Sequence, residues 1–167
     1  MNRALIASCL TLVGAAAMAA TQYVVTFTNG KSFTIEVDTK GSPKTAAHVG
    51  ELVKKKFYDG IRFHRVEDWV VQWGDPGSRK SLDVGGGGSG KQMPFEASKV
   101  GFKKGVVGIA STGSKVGGDC QLFVVTKDSE FLNGNYAVLG KVTKGMDVIM
   151  KVQRGDTIKT MKIVVKK

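Results

Sequence analysis

The run Tyr23-Val24-Val25-Thr26-Phe27-Thr28-Asn29-Gly30-Lys31-Ser32-Phe33-Thr34-Ile35-Glu36-Val37 holds two β-rich segments, Tyr23 to Thr28 and Lys31 to Val37, around Asn29-Gly30. That pair suits the two positive φ values of a type I′ turn, so the run predicts a β-hairpin. Ser42-Pro43 then supplies an N-cap candidate and a proline at the first helical position. Ala46, Val49, Leu52 and Val53 recur at helical spacing up to Lys54-Lys55-Lys56, where cations suit the helix dipole. This is one amphipathic helix.

Further along, short strands are predicted at Arg62 to Val66, Val70 to Trp73, Val106 to Ala110, Gln121 to Val125, Ala137 to Val142 and Ile158 to Lys166, with a second helix over Gly145 to Val152. Many short strands with two helices predict a mainly β domain, a closed or nearly closed antiparallel barrel with helices over its ends, because closure removes exposed strand edges. Composition agrees. Valine is far commoner than leucine, and 22 glycines in 167 residues indicate many tight turns. The length allows one domain with one sizeable core, and 42% apolar against 23% charged residues excludes wholesale disorder.

Met1 to Ala20 begins with a cation at Arg3, continues through an apolar run from Ala4 to Val13 and ends in Ala17-Met18-Ala19-Ala20. This reads as a secretory signal peptide over residues 1–19, too short in its apolar run for a spanning helix. The expected mature domain, 20–167, is periplasmic or secreted, free of the membrane after cleavage, and a monomer. Losing Cys9 leaves Cys120 alone, so neither an internal disulfide nor a cysteine metal cluster is available.

Several motifs read more blandly than they look. Gly85 to Lys91 matches the start of a phosphate-binding loop, but Gln92 stands where a hydroxyl should hold magnesium and Pro94 obstructs the following helix. A flexible surface loop is the better reading. His48 and His64 lack partners at metal-ligand spacing, and no base is tied to Cys120 by sequence, so all three are assigned to structure. The net charge of +11 is scattered from Lys31 to Lys167 without an aromatic ladder, which predicts a solvated surface and no specific nucleic-acid partner.

Phe57-Tyr58-Asp59-Gly60-Ile61-Arg62-Phe63-His64-Arg65 is different. With Gln72-Trp73-Gly74-Asp75, Pro94-Phe95-Glu96, Gly105 to Ala110, Gln121-Leu122-Phe123, Phe131 to Gly134 and Gly140-Lys141-Val142, it resembles the cyclophilin-type peptidyl-prolyl isomerases over nearly all of the expected mature chain. The resemblance implies a closed eight-stranded antiparallel barrel capped by two α-helices, acting on Xaa-Pro segments of other polypeptides without a cofactor or metal. It also implies weak cyclosporin binding, since Phe131 stands where many members carry a tryptophan.

Carried over by position, Arg65 corresponds to the catalytic arginine, Gln72 to a substrate-binding glutamine and Phe123 to the floor of the proline pocket. Trp69, Val70, Leu132 and Tyr136 fall at pocket positions; Ala110, Ser111 and Gln121 fall along the substrate backbone. Between Arg65 and Gln72 this chain has one residue fewer than the family and lacks its Pro-Gly, and Ser111 replaces an asparagine.

The chemistry suits these residue types. Amide resonance gives the Xaa-Pro bond a rotation barrier of about 18–20 kcal/mol. Rotation frees the nitrogen lone pair, so a fixed donor at that nitrogen favours the twisted state over either planar one. A guanidinium supplies such a donor in a rigid fork, and an apolar seat anchors the ring. The rival expectations are a noncatalytic proline-peptide binding module or holdase, and a binder of anionic polymers.

Overall fold

The computed structural model describes residues 20–166; the expected signal peptide lies outside them. The eight strands are β1 (Ala20–Phe27), β2 (Ser32–Val37), β3 (Arg65–Val66), β4 (Val70–Trp73), β5 (Val106–Ile109), β6 (Leu122–Val125), β7 (Val138–Lys144) and β8 (Ile158–Lys166), with helices α1 (Pro43–Lys54) and α2 (Met146–Ile149). They form one antiparallel sheet in the order β3-β4-β6-β5-β7-β2-β1-β8.

The mainly β, eight-stranded, two-helix architecture is present, but the sheet is an open, curled half-barrel and not the closed barrel expected. β3 has two residues and β8 has nine, so there is too little of β3 to ladder against. The seam is crossed by one isolated bridge, Arg62 to Thr157, and by backbone hydrogen bonds that include Phe63 N–H to Asp156 O (2.9 Å) and Ile158 N–H to Ile61 O (2.9 Å).

Local chemistry departs from the expected devices in two further places. Gly30 alone takes positive φ (+82°) in the first hairpin, and Phe27 N–H bonds Lys31 O at 2.9 Å, so the loop has three residues and a glycine bulge in place of a two-residue type I′ turn. Ser42 makes no side-chain cap on α1. Glu96 does that work from 51 residues away, accepting from the N–H groups of Lys44 (3.0 Å) and Thr45 (2.6 Å), which places a carboxylate at the positive end of the helix. The second helix is shorter than expected, four residues after Gly145.

Inside the curl, Tyr23, Phe33, Ile35, Phe63, Trp73, Leu122 and Leu139 pack with the buried face of α1 into the main core. Trp73 lies edge-on to Phe33 (5.8 Å between centroids) and tilted against Phe63 (5.0 Å). A second, smaller cluster of Val70, Phe102, Val106, Phe123, Val125, Leu132 and Val138 sits on the opposite face of the same strands. No helix among the described residues is long and apolar enough to cross a membrane.

Candidate active site

Strands β4, β5 and β6 are buried at every position, which requires cover on both faces. Alternation sends Val71, Trp73, Val107, Ile109, Leu122 and Val124 into the main core, and Val70, Phe123, Val106 and Val125 into the outer cluster. The site is built on that outer face.

One cross-strand row assembles it. Arg65 on β3 pairs with Gln72 on β4, Gln72 with Phe123 on β6, and Phe123 with Gly108 on β5. Neighbouring strands lie ~4.8 Å apart, so the backbones of Arg65 and Phe123 are separated by roughly 10 Å, a span suited to a dipeptide lying across Gln72. Within the shortened segment Val66 pairs with Val71 and Glu67 N–H bonds Val70 O at 2.9 Å, leaving a tight two-residue turn at Asp68-Trp69. That turn is tied to the end of β6 by Thr126 Oγ1 to Asp68 O (3.0 Å) and Thr126 N–H to Trp69 O (2.8 Å).

Gly108 has a specific function in the row. A Cβ there would overlap the rings of Phe123 and Phe102, so its absence lets Phe123 lie across β5, stacked on Phe102 at 5.6 Å. Tyr136 meets Phe123 edge-on (5.9 Å, 88°). The resulting cavity, about 160 Å³, is walled by Arg65, Trp69, Val70, Gln72, Ala110, Ser111, Phe123, Leu132 and Tyr136.

The guanidinium of Arg65 is held on three sides. Nε donates to Glu67 Oε1 (2.8 Å), Nη1 to Gln72 Oε1 (3.3 Å), and its carbon lies 5.3 Å from the centre of the Trp69 ring. Nη2 makes no hydrogen bond among the described residues and is available to a ligand. Gln72 is oriented in turn by donating Nε2 to Gln121 Oε1 (2.8 Å).

These positions can be set against known proteins. The profile of the family described as cyclophilin type peptidyl-prolyl cis-trans isomerase/CLD matches residues 23–167. The chain belongs to the cyclophilin family. A probable peptidyl-prolyl cis-trans isomerase of Brucella abortus (strain 2308) is 37% identical over 129 residues, 72% of this chain; the chain spans 66% of that relative's length. Peptidyl-prolyl cis-trans isomerase B of Bacillus subtilis (strain 168) is 30% identical over 135 residues, covering 81% of this chain and 92% of the relative. The crystal structure of a cyclophilin type peptidyl-prolyl cis-trans isomerase from Cryptosporidium parvum has the same fold, with a TM-score of 0.77 at 20% identity over 89% of this chain and 99% of that one. A second structure of that protein, in the presence of the dipeptide Ala-Pro, gives 0.72 over 86% and 98%.

Nine of the eleven site residues expected from the cyclophilin resemblance thus line one cavity. The two others stand apart. Phe131 is 65% exposed beyond the rim, edge-on to Trp69 at 5.2 Å. Gln121 is buried behind Gln72, its amide donating to the carbonyls of Gly85 (2.9 Å) and Gly87 (2.8 Å), so its side chain braces the glycine-rich loop.

That loop borders a larger cavity of about 590 Å³, which shares Gln72, Ala110 and Ser111 with the smaller one. It is not an empty phosphate cradle. Asp75 accepts from the N–H groups of Gly77, Gly85 and Gly87, each at 2.8 Å, and Asp119 accepts from those of Ser89 (2.5 Å) and Gly90 (3.1 Å). The chain's own carboxylates occupy the donors an external anion would need. His48 joins the same structure, its Nε2 3.2 Å from Asp119 Oδ1.

The remaining candidates lie in the interior. Burial pushes the Cys120 thiol up to about 12, which keeps it protonated and poorly nucleophilic at neutral pH. Burial also holds the His64 imidazole below its ordinary value, against the opposing influence of Asp75 and Gln121 and with smaller help from the positive charges of Arg154 and Arg65. Sequence reading missed Gly108 as a site residue. Its signal was a glycine within the apolar run Val106-Val107-Gly108-Ile109, the mark of a close approach to a strand.

Proposed function

We propose that this chain catalyses cis-trans isomerisation of Xaa-Pro bonds in exported polypeptides, with Arg65 as the donor to the amide nitrogen. The observation that carries the reading is the shared cavity: an apolar seat floored by Phe123 lies two strands from a guanidinium whose Nη2 is unengaged among the described residues. The Ala-Pro dipeptide present with the Cryptosporidium parvum protein is a ligand of the required kind.

The mechanism follows from placement. The pyrrolidine sits on Phe123 between Val70 and Leu132, with Tyr136 and Trp69 at the margin. The preceding residue lies over Gln72, whose second Nε2 hydrogen can meet the substrate backbone, and Ala110 and Ser111 offer backbone groups alongside. With the ring fixed, the acyl side turns; as the lone pair localises, Nη2 of Arg65 donates to it. No covalent bond is made or broken, and the described groups supply the chemistry by hydrogen bonding and shape. A ~10⁵-fold acceleration asks for roughly 7 kcal/mol, distributed over donor, seat and backbone clamp.

Export is supported by the cationic, apolar and Ala-x-Ala order of residues 1–19. Outside the cytoplasm the clients would be unfolded secreted chains, whose Xaa-Pro bonds isomerise unaided in tens to hundreds of seconds. A monomer that binds cyclosporin weakly completes the reading, the latter because Phe131 offers no indole N–H.

The test is exchange NMR on a short Xaa-Pro peptide with the parent chain and with Arg65→Ala. The variant should lose about 100-fold or more in kcat/KM, the scale for removing one preorganised donor, while still shifting Phe123 and Tyr136 resonances. Equal catalysis by both would remove Arg65 from the mechanism. No catalysis by either, with the shifts intact, would make the domain a binding module.

A further inference from the structure

We infer that Glu67 is a positioning residue for isomerisation, aiming the Arg65 guanidinium at the substrate from within the same tight hairpin. The inference rests on the assignment of Arg65 as donor and adds a residue to it.

The argument starts from the turn. Because Asp68-Trp69 close the hairpin with no extra residue, strand alternation continues through Glu67, and residues two apart share a face. Arg65 and Glu67 therefore project together, and Oε1 accepts from Nε at 2.8 Å. An extra residue in the turn would alter that register. The bond falls on Nε, the nitrogen nearest the stem, so it fixes the rotation of the whole planar group. Gln72 takes Nη1 and Trp69 covers one face, which leaves Nη2 as the outward edge of a group whose plane is set from three directions.

The surroundings leave Glu67 committed to this contact. The hydrogen bond from Arg65 holds its carboxyl below the ordinary carboxylate value, against desolvation and the smaller repulsion of Asp68, and with a lesser contribution from the Trp69 side chain in the same direction as Arg65. Asp68 is itself engaged by Lys127 at 2.7 Å on the outer side of the turn. His64 also feels the Arg65 charge, and burial holds its imidazole below the ordinary value. Arg65 and Glu67 are 42% and 44% exposed as side chains, so the pair adds little to global stability. What it controls is direction.

The experiment compares the parent, Glu67→Ala, Glu67→Gln and Arg65→Ala on one Xaa-Pro peptide, measuring the dissociation constant and exchange rate by NMR with the Arg65 Nε–H resonance as a local reporter. Glu67→Ala should lower the bound-state exchange rate about 3- to 10-fold, leave affinity within 2-fold and thermal unfolding unchanged, and broaden or lose the Nε–H signal. Glu67→Gln, which keeps an acceptor oxygen, should recover part of both rate and signal. A Glu67→Ala rate equal to or above the parent's, with Arg65→Ala impaired, would overturn the positioning role alone. A parent-like Arg65→Ala would overturn the donor assignment beneath it. Loss of affinity in step with rate would show that Glu67 serves binding, and would also overturn the proposal.

Discussion

The two faces of β4, β5 and β6 are both buried, yet they do different work. The inner face, with Trp73, Leu122, Val124 and Ile109, is enclosed by the curl of the sheet and by α1, within the main cluster of buried side chains. The outer face is covered by loops alone: Phe102, Leu132 and the partly buried Trp69, Ala110 and Tyr136 surround Phe123 without closing over it. A sheet that curls can seal only its concave side. What the loops leave uncovered on the other side is the cavity, so neighbouring residues on one strand divide between stability and binding.

Substitutions on the two faces should separate those properties. Leu122→Ala, on the inner face and fully buried, should lower unfolding free energy by about 2–5 kcal/mol in urea titrations while Xaa-Pro peptide affinity of the folded protein stays within twofold. Affinity falling in step with stability would show that the faces are coupled through the strand. Gly108→Ala acts on the other face. Its methyl must displace the Phe123 ring, with an expected stability loss of about 1–3 kcal/mol and a peptide affinity at least tenfold weaker by calorimetry. Unchanged affinity would mean that the ring can shift without losing the seat.

The smallest effect concerns pH. The folded pKa of His64 is depressed by burial, so between the unfolded value near 6.5 and that lower folded value the unfolded chain binds a proton that the folded chain does not. Stability should therefore decline as pH falls below about 6.5. In urea unfolding at pH 7.5 and 5.5, His64→Gln should reduce that decline. An identical decline in the variant would place the titrating group elsewhere. Acid loss from Glu67, Asp68 and Glu96, whose carboxyl pKa values are lowered, belongs to a separate window, below the ordinary carboxylate range.

The candidate site residues were legible beforehand only through the family resemblance, because each of them taken singly also fits ordinary packing or a surface ion pair. Arg65, Gln72 and Phe123 stood out through the order of short blocks, and nine expected residues share one cavity. The less legible features were those that depend on distant partners. Ser42 looked like the cap of α1, but the N–H groups went to Glu96, a competition that local propensity cannot foresee. Gln121 falls along the substrate backbone by position, and nothing in the local sequence showed that its amide would also meet the carbonyls of the glycine-rich loop. The missing residue between Arg65 and Gln72 left their geometry open until the tight turn set the register.

The amino-acid order alone settled the strand-rich class, the amphipathic helix and the family, because alternation, helical spacing and short motifs are properties of neighbouring residues. Tertiary structure decided that the sheet stays open at β3 and β8, that Asp75 and Asp119 fill the loop that looked ready for an anion, and that Glu67 meets Arg65. Those outcomes depend on which backbone donors and strand edges find partners across the fold, and that competition is resolved only when the whole chain has closed around its core.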